Sequence, residues 1–219
     1  MADAHDRLIG ALAADLQPVR PLLSPPLRAL LWLMLVVLIA AGLALFANLP
    51  AVAHRIIAVP DMWLAVLGSI ATAATAALAA FELSLPDRSR AWALLPLPAA
   101  ILWVGASGLG CLRAYVLPGT HVADLGDTRD CLIFIISLSV PLSAVLIFML
   151  RRACSLTPAL TATMAGLASA AAAATLLNFF HPYDAAATDL LVHLVAVGIV
   201  VVAVRAFGPR ALKNSVAEA

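Results

Sequence analysis

The sequence predicts an all-α, polytopic membrane protein with six transmembrane helices and both termini in the cytoplasm. Three observations carry that expectation. The chain has 219 residues, 64% hydrophobic and 11% charged, with a mean hydropathy of +1.05. Soluble domains carry about 25% charged residues. Six apolar runs, 29–47, 62–80, 91–110, 131–150, 159–180 and 189–207, are each long enough to cross a bilayer. A helix of 20 residues rises about 30 Å, the thickness of the hydrocarbon core. Lastly, Lys and Arg alternate between the two sides. Ten of the thirteen (Arg7, Arg20, Arg28, Arg88, Arg90, Arg151, Arg152, Arg205, Arg210, Lys213) fall on one side, against Arg55, Arg113 and Arg129. The positive-inside rule puts the first set in the cytoplasm, with the loops 48–61, 111–130 and 181–188 outside.

The chain divides into an N-terminal segment (1–28), a transmembrane domain (29–207) and a short cytoplasmic tail (208–219). Residues 3–17 read as a short amphipathic helix with Asp3 as N-cap. Leu8, Ile9, Leu12 and Leu16 share one face, and Asp6, Arg7 and Gln17 lie elsewhere on the wheel. Pro18, Pro21, Pro25 and Pro26 forbid a continuous helix beyond it. A small apolar-faced element is thus held at the end of a stiff linker. The bland alternative is a helix lying on the lipid surface. The first apolar run starts near Ala29, too late for a cleaved signal peptide, so the chain is expected to remain whole.

Among the spans, the third contains Pro96 and Pro98, which make its first turn irregular. The fourth is framed by Asp130-Cys131 and Arg151-Arg152 and carries Pro141 at mid-span, a position that lipid tolerates as a kink. In the fifth, Gly166, Ser169 and Ala170 to Ala174 form a small-residue face for close helix packing.

Chemistry is sparse. Glu82 and His193 lie near span ends and the midplanes are free of charge, which argues against a small transporter. No H-E-x-x-H or G-x-S-x-G pattern occurs, so neither an enzyme nor a cofactor is expected. The net charge of +1 gives no sign of nucleic acid, and no direct nucleic-acid binding is expected. The three cysteines form no C-x-x-C, which disfavours a membrane thiol–disulfide redox protein, the rival from another class. Cys111 ends the third span and Cys131 begins the fourth, on the outer side, where a disulfide is permitted. Two unrelated buried thiols are the other reading. Cys154 is a bystander on the inner side. His121, His181, Asp184, Asp189 and His193 gather on the outer loops and helix ends. They make weak candidates for a metal, and helix capping accounts for them more simply.

Leu12-Ala13-Ala14-Asp15-Leu16-Gln17-Pro18-Val19-Arg20-Pro21, placed before the first span, resembles the N-terminal signature of the NrsF-type membrane anti-sigma factors. So does Arg129-Asp130-Cys131 before a proline-containing span closed by Arg151-Arg152, and so does Phe180-His181-Pro182 with Asp184 and His193. The resemblance covers most of the chain, including the six spans, although each motif is short. It implies a protein of the bacterial inner membrane whose cytoplasmic N-terminal segment sequesters an extracytoplasmic-function sigma factor. An outer-side redox or heavy-metal stress signal would release that factor. The sigma-binding segment would include Asp15, Leu16, Pro18, Arg20 and Pro21, with the apolar face of Leu8, Ile9 and Leu12, and Cys131 would be a sensing cysteine. Some members carry a second cysteine directly after the histidine, where this chain has Pro182. Either Cys111 is then the partner or redox sensing is lost.

Topology is directly testable. Reporters fused after Arg90, Arg152 or Ala219 are expected to report cytoplasm, and one near Gly119 to report the exterior. Equal readings from the Gly119 and Arg152 fusions would contradict the six-span arrangement.

Overall fold

Proline decides where the first long helix begins. Pro25 and Pro26 occupy the first two helical positions of α2 (Pro25–Ala44), where a backbone N–H has no acceptor in any case. Arg28 N then donates to Ser24 O at 3.1 Å, closing the first turn. The helix therefore starts four residues before the apolar run expected from residue 29, and Arg28 belongs to it rather than to the linker. The structure is a computed structural model and describes residues 2–14, 21–58, 60–116, 125–153, 155–180 and 187–214.

Every regular element among the described residues is helical. α1 (Ala2–Ala14) precedes α2, and α3 (Leu49–Ala58) follows it. α4 (Pro60–Leu83) leads to a 3-10 helix (Arg90–Leu94), then α5 (Leu97–Val116), α6 (Leu125–Leu150), α7 (Pro158–Leu177) and α8 (Ala187–Asn214). Six helical stretches are long and apolar enough to cross a membrane: Pro25–Ala44, Asp61–Leu83, Arg90–Leu109, Arg129–Leu150, Pro158–Leu177 and Leu191–Leu212. Pro96 and Pro98 do make the third irregular, dividing it into the 3-10 turn and α5.

Two stretches depart from the expectation. Residues 48–61, read as an outer loop, contain α3. Asn48 caps it, its Oδ1 accepting from Ala51 N at 3.3 Å and its carbonyl from Val52 N at 3.0 Å. The loop 111–130 is also shorter than expected. α5 continues to Val116 and α6 starts at Leu125.

The centre of the bundle is α7, with 14 of its 20 residues buried. It packs against α4, α6 and α8. Its alanines meet Ala73, Ala76, Ala77 and Ala80 of α4, so the two backbones approach closely. Gly166 faces the Cα of Val201 in α8, and Gly208 of α8 faces Ala162. Hydroxyls mostly bond back to their own helix, as Thr72 does to Gly68 O at 2.7 Å. Thr175 reaches across to Ser69 Oγ at 2.9 Å, joining α7 to α4. α6 carries Pro141 inside it. On its buried face, Ser139 and Ser143 have hydroxyls without hydrogen-bond partners among the described residues. The exterior is apolar, with Leu38, Ile101, Val140, Phe148 and Val202 exposed, a surface suited to hydrocarbon.

α4 and α5 also approach closely. A Cβ at Gly68 would lie 2.7 Å from the backbone N and Cα of Trp103. Gly68→Ala is expected to destabilise by about 1–3 kcal/mol, since backbone cannot yield as a side chain can. The melting temperature in detergent should drop by several degrees, at about 2–4 °C per kcal/mol. Gly105→Ala, with nothing within 4 Å, is the control and should melt as the native protein does.

Candidate functional site

Functional side chains gather at the two ends of the bundle. At one end, here the arm end, lie α1, the start of α2, and the C-termini of α4, α6 and α8. At the opposite, cysteine end lie the starts of α6 and α8 and the end of α7.

α1 contributes its apolar stripe to no core. Leu8, Ile9 and Leu12 are 60%, 63% and 63% exposed. Pro21 is exposed as well, in a non-helical segment that runs to Ser24. Asp15, Leu16, Pro18 and Arg20 lie outside the described residues.

Behind the arm stands a polar network that sequence reasoning missed. The Arg28 side chain is 5% exposed. Its Nη2 donates to Met149 O in the last turn of α6, and its guanidinium stacks 4.7 Å over the ring of Phe81 in α4. One turn further along α2, the fully buried Trp32 donates from Nε1 to Leu142 O at 3.3 Å. Glu82, next to Phe81, pairs with Arg88 at 3.1 Å. The C-terminal carbonyl of α4 is held similarly: Ser155 Oγ and Thr161 Oγ1 donate to Leu83 O at 3.0 and 3.1 Å. The carbonyls of Met149 and Leu83 belong to the last turns of their helices, where no intrahelical donor follows, and side chains from other elements satisfy them. The available signal was the proline pair. Helix starts at Pro-Pro, so a residue three positions on is helical, and one four beyond that shares its face.

At the cysteine end, Cys131 is a free thiol, 8% exposed. It sits in a small core with Ile135, Ala173, Ala174, Leu177 and Ala196, from α6, α7 and α8. The rings of Phe134 and Phe180 meet beside it at 5.9 Å. On the neighbouring face of α6, Asp130, Ile133, Phe134, Ser137 and Leu138 line an open groove. The backbone of Cys111 lies within α5, and its side chain is outside the description. His121, His181 and Asp184 are outside it too. His193 is half-buried on α8. Among the described residues no group of three His, Cys, Asp or Glu side chains converges on a point that could hold a metal.

This geometry defines a class: a helical bundle, six of whose described helical stretches are long and apolar enough to cross a membrane, with a short amphipathic helix whose apolar face the bundle leaves uncovered. A family model described as NrsF, negative regulator of sigma F, matches residues 12–213, and the chain belongs to that family. The family description makes it a negative regulator of a sigma factor. No curated protein and no solved structure matches the chain.

Burial of Cys131 has a measurable consequence. With Cys111 and Cys154 replaced by Ser, a maleimide is expected to label Cys131 at least about tenfold more slowly in the folded protein than after unfolding in SDS, as local opening costing about 1.4 kcal/mol implies. Equal rates would show that the thiol is not held in the core.

Proposed function

We propose that this protein is a membrane-bound anti-sigma factor of the bacterial inner membrane, with both termini in the cytoplasm. It holds an extracytoplasmic-function sigma factor inactive through α1 and the segment that follows, as far as Pro21. It acts by stoichiometric binding and catalyses no reaction. Release follows an outer-side redox or heavy-metal signal, with Cys131 and Cys111 as the sensing thiols.

The observation that carries this reading is the unpacked face of α1. An amphipathic helix with Leu8, Ile9 and Leu12 exposed, on a proline-rich tether, is built for the helix-in-groove mode of recognition. The family's role as a negative regulator of a sigma factor supplies the kind of partner. The same face would also suit a lipid surface, so the experiment must separate the two.

Burying one such side chain contributes about 1.5–3 kcal/mol. Replacing Leu8 and Leu12 together by Asp should therefore weaken sigma-factor binding by at least about a hundredfold. The regulated genes should then be expressed constitutively while the protein still inserts. Recovery of the sigma factor by pull-down from the native cells, with mass spectrometry of the bound chain, checks both the partner and the loss. Unchanged recovery with the double variant would remove α1 from the interface and leave the lipid surface as its seat.

A further inference from the structure

The two ends of the molecule are about 27 Å apart along α6, from Cys131 to Met149 at about 1.5 Å per residue. A regulator of this kind needs a physical route between them. α2 is an edge helix. Leu30, Leu31, Met34, Val37 and Leu38 face outward, and its main packing partner is α4. Yet both of its buried polar side chains reach past α4 to the backbone of α6, Arg28 at Met149 O and Trp32 at Leu142 O.

Arg28 occupies a position where opposing forces meet. The C-termini of α4 and α6 present the negative ends of two helix dipoles, which favour a cation. Its own helix presents its positive end there, and burial strips the guanidinium of water. Nη1 is buried without an acceptor among the described residues, so the guanidinium is under-satisfied where it sits. Such a contact can be made or lost while the alanine core of α4 and α7 stays intact.

Resting on the reading of α1 as the sigma-binding arm, we propose that Arg28 is a coupling residue: it fastens the base of the arm to the inner end of the helix that starts at Cys131, so that displacement of α6 repositions the arm. Arg28 lies four residues beyond Ser24, where the tether ends, and is thus the first buried side chain after the exposed segment. A signal moves the equilibrium only through its differential interaction with the two states. Here the states are α2 moving with α6 and α2 left behind.

A double-mutant cycle in the full-length protein tests this. Cys131→Phe overpacks the core at the cysteine end and pushes α6 away from Ala173 and Ala174. Cys131→Leu is the milder substitute if the first variant fails to insert. Each is made with Arg28 present and with Arg28→Gln. Spin labels at Leu27 on α2 and Leu97 on α5, both exposed at the arm end, report the position of α2 against a reference helix. With Arg28 present, the substitution at Cys131 should shift the label distance by about 1–2 Å, the usual scale of helix movement. With Arg28→Gln it should produce no shift. In parallel, the sigma factor recovered from native cells should fall at least about tenfold on Cys131→Phe with Arg28, and less than about threefold without it. A residue that merely capped α6 would leave the response to Cys131→Phe the same in both backgrounds, and that result, or no shift in either, overturns the proposal. If the native protein recovers no sigma factor at all, the function proposed above fails, while the label distances still decide whether Arg28 couples α2 to α6.

Discussion

The close approach of α7 to its neighbours is the constraint on which the rest of the structure depends. When side chains and surroundings are equally apolar, transferring a residue from lipid to protein interior gains little, and helices must attract each other by contact alone. Dispersion falls off steeply, so contact must be tight. Alanine, glycine and serine on facing surfaces of α4, α7 and α8 provide that tightness. Bulk is then placed outside the seam. Trp32, Phe81, Leu142 and Leu146 fill the wedge where α2 and α6 join, at the arm-end half of the core.

A core of that kind leaves the helix ends to be settled separately. At the arm end the carbonyls of Leu83 and Met149 cannot turn to water without breaking the packing of Leu83, Leu150 and Leu212 around them. The chain supplies Ser155 and Thr161 to one and Arg28 to the other. The two solutions differ in kind. The hydroxyls lie 2.8 Å from each other and close a local network beside α7. The arginine comes from a distant, peripheral helix and carries a charge that its surroundings only partly answer. The first arrangement fixes a joint; the second makes it conditional.

Much of this could be read from the chain. The six long helices, the irregular entry to the third and the small-residue character of the fifth follow from apolar run length, proline and alanine placement. The apolar stripe of α1 followed from three-four spacing, and the structure leaves it uncovered. What escaped reading was set by single residues whose meaning depends on context. Asn48 starts α3 because its side chain finds the N–H of Ala51, a cap that composition alone disguises as a polar loop. Arg113 and Arg129 read as residues of an outer loop, and the structure places both within helices. Arg28 reads as a topology signal, because a cation next to an apolar run is usually at the membrane surface; its burial depends on Phe81 and Met149, more than fifty residues away in sequence. At the cysteine end, whether Cys131 faces water or core is not legible from the chain, since a thiol is at home in either.

Pro141 and its flanking serines bear on how α6 behaves as a mechanical part. Proline cannot donate to the carbonyl one turn back, and the buried hydroxyls of Ser139 and Ser143 do not compensate with partners among the described residues. Bending there sacrifices few bonds, because those bonds were not made. The helix thus has a place, at Pro141, where its main-chain ladder is interrupted and the neighbouring side chains offer no bond in return. A change of the kink at Pro141 would redirect Met149 O, the acceptor that Arg28 holds.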